Sequence, residues 1–394
     1  MKKTKPSFSL KDQLFNKQKV EYISGLIKWV YPEFLSEEFE REVLEKFPEL
    51  ELKARISHIS KMFEKYILEI NGFENAVNIL IKSLPEVIEN WEMDNNFGDF
   101  IFCPYSLFVA ENWLSKKYLN FSLNSLWKIT ANFSAEDAIR FFLNEFEDEA
   151  FKQMILWSKS ENYHHRRLAS EGSRQRLPWC QKINLDYKKT IEILDNLYFD
   201  ESRYVTRSVA NHLNDISKID ADLVIDVLGK WKTHPQPLPC KEGNNNDLDY
   251  IISHSTRSLL KMWDKRTLEF LWYSSNPQVE VKNFEIKNSE VKIWESLEFE
   301  FDILPLTRGE LEGGLNLIID YKISFLNKSW KLLPKVFKIK KCRDTPSGYP
   351  DWLKINKKHK LQIMSTKALY IWKHFVEIII NGKSFRKKEF ELII

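Results

Sequence analysis

A cluster of basic side chains lies in the segment HHRRLASEGSRQRLPW, residues 164–179. It holds four arginines, two histidines and a single carboxylate, Glu171. Guanidinium groups bind phosphate oxygens through paired hydrogen bonds, and free amides at helix ends bind the same oxygens. The segment therefore predicts a site for a phosphate-bearing polyanion. The alternative is pairing within the chain, since arginines at helix ends of repeat proteins often contact carboxylates of the next layer, here Glu171 or Asp200.

The candidate phosphate contacts number six, because a neighbouring repeat carries two further arginines. They are Arg166, Arg167, Arg174, Arg176, Arg203 and Arg207. Equivalent positions of stacked repeats line one groove, so these side chains would form a stripe, which suits nucleic acid better than a small anion. We interpret His164 and His165 as packing residues or phosphate contacts, because no metal-site spacing surrounds them.

The elements that must position these residues have helical periodicity over residues 1–275, as in EDAIRFFLNEFEDEAFKQMILWS at 136–158. LWSKSENYHHRRLAS and LYFDESRYVTRSVAN match at a constant offset of 41 residues, so that Tyr163 aligns with Tyr204 and Arg166 with Arg207. A weaker third copy is IISHSTRSLL at 251–260. A period near 40 is typical of HEAT-like repeats, which stack into an array with a concave binding surface. We predict a HEAT-like α-helical array over 1–275.

The pattern changes after residue 276 to short segments with β-rich alternation. They are VEVKNFEIKN, EVKIW, LEFEFDIL, LNLIIDYKISF, KVFKIKK, HKLQIM and HFVEIIINGKSF, and Asn381-Gly382 in the last predicts a hairpin turn. Seven such segments favour a small all-β, immunoglobulin-like sandwich over 276–394, without the Cys–Trp–Cys pattern of antibody domains. The predicted fold class is mostly α, with this sandwich following the array.

Composition excludes several other classes of protein. The 394 residues are 43% hydrophobic with a net charge of +3, as in globular proteins. Residues 279–394 hold 22 Lys+Arg against 15 Asp+Glu, so the basic excess lies in the C-terminal part. Four dispersed cysteines argue against disulfides and structural zinc. Without a long apolar run or a nucleotide or metalloprotease motif, we expect a cytoplasmic protein with no membrane partner, metal or cofactor.

Three motifs together resemble one protein family. HHRRLASEGSRQRLPW, SVANHLNDISK (208–218) and FSAEDAIRFF (133–142) resemble the AlkC class of bacterial DNA alkylation repair glycosylases. KVFKIKK (335–341) and FVEIIINGK (375–383) are similar to the immunoglobulin-like domain that many members carry at the C-terminus. The resemblance covers nearly the whole chain. One departure is Gln175, where the family usually has proline.

The resemblance implies a DNA glycosylase acting on alkylated DNA, which we expect to be double-stranded. We expect a monomer, and a monofunctional enzyme because no lysine is singled out as a Schiff-base nucleophile. Its substrates would be cationic N3-alkylated bases, such as 3-methyladenine and 3-methylcytosine, which leave without protonation. The deoxyribose then gains oxocarbenium character that carboxylates stabilise. By the resemblance, Glu136 would stabilise the sugar cation, Asp215 would position or activate water, and Trp179 would lie against a base that stays largely stacked. From the residues alone, the alternative for Glu136 is an N-terminal capping acid after Ser134, and for Trp179 core packing is favoured.

Two other function classes remain open. A non-catalytic scaffold would need the arginines but not the two acids, and an RNA-binding repeat protein would need one stacking aromatic per repeat. Convergence of Glu136, Trp179 and Asp215 on one concave pocket favours catalysis, whereas their dispersal favours the scaffold.

Overall fold

The computed structural model describes residues 9–87, 98–233, 246–306, 316–342, 353–362 and 369–393. The chain forms two compact units, one ending at Arg257 and the other beginning at Ser258. The first is helical and the second is mainly β, which confirms the predicted fold class. The change from helices to strands, on which the boundary of 275/276 was drawn, lies between Phe270 and Val279.

The described helices are numbered in chain order. They are α1 Leu10–Leu14, α2 Lys17–Val30, α3 Ser36–Lys46, α4 Leu52–Phe63, α5 Glu69–Asn71, α6 Phe73–Ser83, α7 Cys103–Asn112, α8 Leu119–Ile129, α9 Ile139–Glu145, α10 Glu147–Trp157, α11 Tyr163–Gly172, α12 Ile191–Leu197, α13 Arg203–Ile216, α14 Ala221–Thr233, α15 Asn246–Ser255, α16 Arg257–Met262 and α17 Lys265–Phe270. A π-helical turn, Glu64–Leu68, joins α4 to α5, and single 3-10 turns form at Phe47–Glu49 and Phe100–Phe102. In the described ranges, no helix has the length and apolar character needed to cross a bilayer.

Helices α11 and α13 form the inner layers of the array. α13 buries Val205, Val209, Leu213 and Ile216 completely, and their spacing of four, four and three residues places them on one helical face. α10 packs on α11, α11 on α13 and α13 on α15. The predicted offset of 41 residues is therefore the step from one inner helix to the next.

Both ends of α11 are fixed by local chemistry. Asn162 caps its first turn, because its Oδ1 accepts a hydrogen bond from the His164 amide at 2.8 Å. At the other end, a Cβ on Gly172 would lie 2.6 Å from Cγ2 of Ile139 on α9. Glycine therefore permits the close approach that places the arginine-rich helix beside the segment preceding α9.

The second unit is a β-sandwich of two sheets. Its described strands are β1 Val279–Ile286, β2 Glu290–Lys292, β3 Ser296–Pro305, β4 Leu317–Leu326, β5 Leu332–Cys342, β6 Leu353–Lys360, β7 Trp372–Ile380 and β8 Lys383–Ile393. One sheet has the order β1-β3-β6 and the other β2-β8-β7-β4-β5, with β2 parallel to β8 and all other pairs antiparallel. Phe299 and Phe301 of the first sheet and Tyr321 and Ile378 of the second belong to one shared core.

Two predicted β segments differ in detail from the structure. HFVEIIINGKSF holds two strands, because Asn381 and Gly382, with φ of 46° and 84°, form a two-residue turn between β7 and β8. The hairpin prediction is confirmed. The strand predicted at HKLQIM is misplaced: β6 ends at Lys360, residues 361–362 are not in a strand, and residues 363–364 lie outside the described ranges.

The last two helices pack on the sandwich. Leu260, Leu268 and Tyr273 form a small apolar cluster with Ile318 of β4. The Asn381 side chain donates a hydrogen bond to the Ser274 carbonyl at 2.9 Å. These contacts explain why this unit begins before its first strand.

Candidate active site

Glu136 lies in the segment that leads into α9. Its Oε2 accepts hydrogen bonds from Ser134 Oγ at 2.8 Å and from Arg167 Nη1 at 2.7 Å. The side chain is 25% exposed. Helix α9 has no side-chain cap, so Glu136 does not have the capping role that the sequence left open. Its carboxylate is held in place and is also accessible to a ligand.

Glu136 and Trp179 line the same cavity, which has a volume of about 1000 Å³. Trp179 is 79% exposed, which excludes the core role that was its alternative. Other tryptophans of the chain also have positive φ, so the φ of 71° at Trp179 does not by itself mark a site. The cavity walls are mostly apolar and include the aromatic Tyr22, Phe100, Phe102 and Phe133, together with the charged Lys53 and Asp137.

Two cysteines also line this cavity. Burial, followed by the charges of Asp137 and Glu136, raises the pKa of Cys103 and of Cys180 above the ordinary thiol value. Both thiols therefore stay protonated at neutral pH and are poor nucleophiles.

Asp215 lies elsewhere, near the C-terminal end of α13. Its Oδ2 accepts hydrogen bonds from Arg174 Nε at 3.0 Å and Nη2 at 2.7 Å, and its Oδ1 accepts one from Lys218 Nζ at 3.0 Å. The carboxylate side chain is only 5% exposed and is not among the residues that line the cavity of Glu136 and Trp179. The structure thus brings two of the three predicted residues into one cavity.

The two acids are nevertheless connected by a buried series of alternating charges, Glu136–Arg167–Glu171–Arg174–Asp215, which we call the ion ladder. Arg167 Nη2 lies 3.9 Å from Glu171 Oε2, and Arg174 Nη1 donates a hydrogen bond to Glu171 Oε1. Arg174 contacts Asp215 at 2.7 Å. The ion ladder joins the segment before α9 to α11 and α13.

Glu171 and Arg167, inside the ion ladder, remain charged. Burial acts to raise the pKa of Glu171, but Arg167 and Arg174 outweigh it and the pKa is lowered. Burial acts in the opposite sense on Arg167, where Tyr204 and Glu136 outweigh it and the pKa is raised. Each charge therefore depends on its neighbours.

Sequence reasoning missed two residues that support the ion ladder. The guanidinium of Arg167 lies over the ring of Tyr204, 4.4 Å from its centroid. Ser208 Oγ donates a hydrogen bond to Glu171 Oε2 at 2.6 Å. The repeat alignment of Tyr163 with Tyr204 was the available signal for the first, since it placed Tyr204 on the layer next to the arginines.

Four of the six arginines predicted to contact phosphate form contacts within the chain. Arg166 holds Asp200 through Nε at 2.5 Å and Nη2 at 3.0 Å. Arg203 Nη1 contacts Asp247 Oδ1 at 2.7 Å, with its guanidinium over the Tyr250 ring. Arg167 and Arg174 belong to the ion ladder. The structure therefore favours the alternative of interlayer pairing for these four.

The other two candidate arginines, Arg176 and Arg207, differ from each other in exposure. Arg176 is exposed on the segment that follows α11, and Arg207 is half-buried on α13. Arg176 therefore keeps its guanidinium at the surface, where a phosphate can approach it.

The paired histidines are interior residues. Burial lowers the pKa of both His164 and His165 to about 4. The His165 ring lies within hydrogen-bonding distance of the Trp127 carbonyl, at 2.9 Å, and of Ser160 Oγ, also at 2.9 Å. This burial favours packing over phosphate contact. No group of three or more His, Cys, Asp or Glu side chains in the described ranges is arranged to hold a metal ion.

Known proteins resemble both units of the chain. A family model described as DNA alkylation repair enzyme matches residues 116–245, and one described as the C-terminal Ig-like domain of uncharacterised protein YhaZ matches residues 280–394. The uncharacterised protein YhaZ of Bacillus subtilis (strain 168) is 29% identical over 386 residues, which is 96% of this chain and 98% of the relative.

A solved structure is similar over nearly the full length. It is the Pseudomonas fluorescens alkylpurine DNA glycosylase AlkC bound to DNA containing an abasic site analog, with a TM-score of 0.82 and 26% identity. The match covers 98% of this chain and 100% of that one. These findings confirm the predicted resemblance: residues 116–245 match the DNA alkylation repair enzyme family model, and the chain has an AlkC-like fold with a YhaZ-type C-terminal Ig-like domain.

Proposed function

We propose that the chain is a DNA glycosylase that excises cationic N3-alkylated bases from double-stranded DNA. The bases would include 3-methyladenine and 3-methylcytosine, and the reaction would be hydrolysis of the N-glycosidic bond, the first step of base excision repair. The observation that carries this proposal is the position of Glu136. Its carboxylate is fixed by Ser134 and Arg167 yet accessible, and it shares a cavity with the exposed Trp179.

The chemistry requires a negative charge beside the deoxyribose. An N3-alkylated base is already positive, so it can depart without a general acid, and the sugar becomes oxocarbenium-like. A carboxylate held by two hydrogen bonds stabilises that cation without reorganising during the reaction. Glu136 has this arrangement, and the face of Trp179 would attract the cationic base.

Asp215 is proposed to hold the attacking water. A carboxylate has about four acceptor positions. Arg174 donates twice to Oδ2, whereas Oδ1 accepts one hydrogen bond from the described residues, donated by the exposed Lys218. Oδ1 therefore retains acceptor capacity next to Lys218, whose side chain is 34% exposed. Contact with DNA would have to bring this atom and the cavity to the same nucleotide.

The DNA partner is supported by the structural similarity to AlkC, which was solved bound to DNA. We assign the first phosphate contact to Arg176, whose side chain is exposed. By contrast, Arg166, Arg167, Arg174 and Arg203 hold carboxylates of the chain. The latter four would order the binding surface rather than bind the strand.

The test is base release from duplex DNA that has been treated with a methylating agent. Released bases are identified by liquid chromatography and mass spectrometry, for the wild type, Glu136→Gln and the control Glu149→Gln, which alters a half-buried acid that is paired with Lys116 and does not line the cavity. We expect Glu136→Gln to lose about 100-fold or more in excision rate while duplex binding persists. Wild-type excision by Glu136→Gln would contradict the assignment. Borohydride trapping tests monofunctionality, because Lys53 lines the cavity: a trapped adduct, absent in Lys53→Met, would overturn it.

A non-catalytic DNA-binding scaffold is the second candidate. The observation in its favour is that Asp215 lies outside the cavity and is held by Arg174, as a purely structural carboxylate would be. The same assay separates the two functions, because a scaffold binds methylated duplex and releases no base.

A further inference from the structure

An exposed apolar surface lies at one end of the five-stranded sheet. Trp330, in the turn between β4 and β5, and Trp372, at the start of β7, are 71% and 52% exposed. Their rings meet edge-to-face with centroids 5.9 Å apart. Leu332, Leu333 and Ile371 are exposed beside them. We call these five residues the tryptophan patch. Side chains of this kind rarely cluster at the surface without a partner.

The tryptophan patch adjoins the edge of a sheet. β5 is the last strand in the order β2-β8-β7-β4-β5, and no strand in the described ranges pairs with its outer side. All eleven of its residues are exposed or half-buried. An unpaired edge presents a row of amide and carbonyl groups that can bind an extended segment of another chain.

The positive charge along the β5 edge favours an acidic partner. Exposed lysines run along β5 and the turn before it, and none of them forms an ion pair in the part of the chain that the structure describes: Lys328, Lys331, Lys335, Lys338 and Lys340. Two copies of β5 would repel one another, because like charges face each other across such a pair. An acidic strand would instead be attracted. The aliphatic Leu332 and Leu333 favour a peptide over single-stranded nucleic acid, whose binding relies on stacking and phosphate contacts.

We propose that the β5 edge and the tryptophan patch form a docking site for an extended acidic peptide segment of a partner protein. Its backbone adds a strand beside β5, its carboxylates face the lysines, and its apolar side chains contact the tryptophan patch. This site is separate from the cavity of Glu136 and does not depend on the proposed catalysis.

The test uses the full chain and three fluorescent probes. The first is a short synthetic peptide alternating aspartate with isoleucine or phenylalanine, the second has lysine in place of aspartate, and the third is a single-stranded oligothymidylate. Binding is measured by anisotropy. We expect binding of the acidic peptide only, a loss of about tenfold in affinity for Trp330→Ser with Trp372→Ser, and new hydrogen-exchange protection of β5 amides. The matched control is Trp294→Ser, which removes another exposed tryptophan with positive φ from the same unit.

Three results would overturn the proposal. The first is stronger binding of oligothymidylate than of the acidic peptide, which would make this a nucleic-acid surface. The second is self-association, seen by sedimentation and lost in the double variant, which would make the occupant a second copy. The third is equal peptide binding by the double variant and the wild type, with both folded by circular dichroism.

Discussion

Arg174 and Asp215 form a buried ion pair across an interval of 41 residues, at 2.7 Å between Nη2 and Oδ2. The interval equals the repeat offset, so the pair joins equivalent positions of two adjacent layers. Each partner is one-tenth exposed or less. The pair therefore couples the arginine-rich helix to α13.

Removing one partner should destabilise the helical unit strongly. Arg174→Met removes the guanidinium shared by Glu171 and Asp215, and leaves Arg167 beside the first and Lys218 beside the second. Breaking a buried ion pair costs about 3–5 kcal/mol when one partner is removed, so we expect a loss up to that size. The measurement is urea unfolding followed by circular dichroism. The double variant Arg174→Met with Asp215→Leu should lose less than the sum of the single variants. Additive losses would mean that the two side chains do not interact.

Arg176 should affect DNA binding without affecting stability. Its guanidinium is exposed, so Arg176→Gln would remove one phosphate contact and reduce the slope of log K against log salt concentration by about 0.9. Binding is measured by anisotropy with unmodified duplex over a range of salt. Arg41→Gln, at an exposed position on α3, is the control. An unchanged slope for Arg176→Gln would remove this residue from the interface.

Trp179 should discriminate between damaged and undamaged DNA. If its ring attracts the cationic base, Trp179→Ala lowers excision of alkylated bases by about tenfold, the equivalent of one cation–π contact, and leaves binding of unmodified duplex nearly unchanged. Trp29→Ala, which removes another highly exposed tryptophan, serves as control. Equal effects of the two substitutions would show that Trp179 has no special contact with the lesion.

His212 should make stability depend on pH. Burial, reinforced by Arg174, lowers the pKa of His212 to about 4, whereas in the unfolded state the pKa is near its ordinary value of 6.5. Between these two values the folded state stays unprotonated and the unfolded state binds a proton. The contribution of neutral His212 to the free energy of unfolding is fully present above pH 6.5. It is lost as the pH falls toward 4, at about 1 kcal/mol per pH unit. The stability advantage of wild type over His212→Leu should shrink in that window. A pH-independent difference would refute the buried neutral histidine.

Gly98 should be essential to the wall of the cavity. Its φ is +83°, and a Cβ there would meet the Asn132 carbonyl oxygen at 1.8 Å. Gly98→Ala should cost about 1–3 kcal/mol or more and reduce excision. The control is Gly229→Ala in the interior of α14, where a Cβ meets nothing within 4 Å. That substitution should stabilise by about 0.4–1 kcal/mol, as urea unfolding would show.

The repeat and the sandwich were accessible to sequence reasoning because both rest on periodicity. Tyr163 and Tyr204 occupy equivalent helices at the predicted offset, and Asn381-Gly382 forms the predicted turn. The strand predicted at 359–364 was misplaced because LKINKKHK, which forms β6, has charged residues at its exposed positions and few apolar ones to mark the alternation.

The candidate site was only partly accessible. Glu136 and Trp179 were identified through a family resemblance, and the structure adds their shared cavity. The partners of the arginines depend on which side chains meet between layers, and local spacing does not determine this. Arg166 and Asp200 are 34 residues apart and Arg174 and Asp215 are 41 apart, so no single interval would have predicted both pairs.

The ion ladder has a consequence for synthesis of the chain. Arg174 and Glu171 leave the ribosome well before Asp215, so the nascent array holds a guanidinium whose final counter-ion has not yet been made. Until α13 follows, Arg174 lacks its interlayer carboxylate, so we expect α11 to complete its packing only after α13 has been made. The middle of the array should therefore acquire its native packing in one late step, rather than repeat by repeat as each pair of helices emerges.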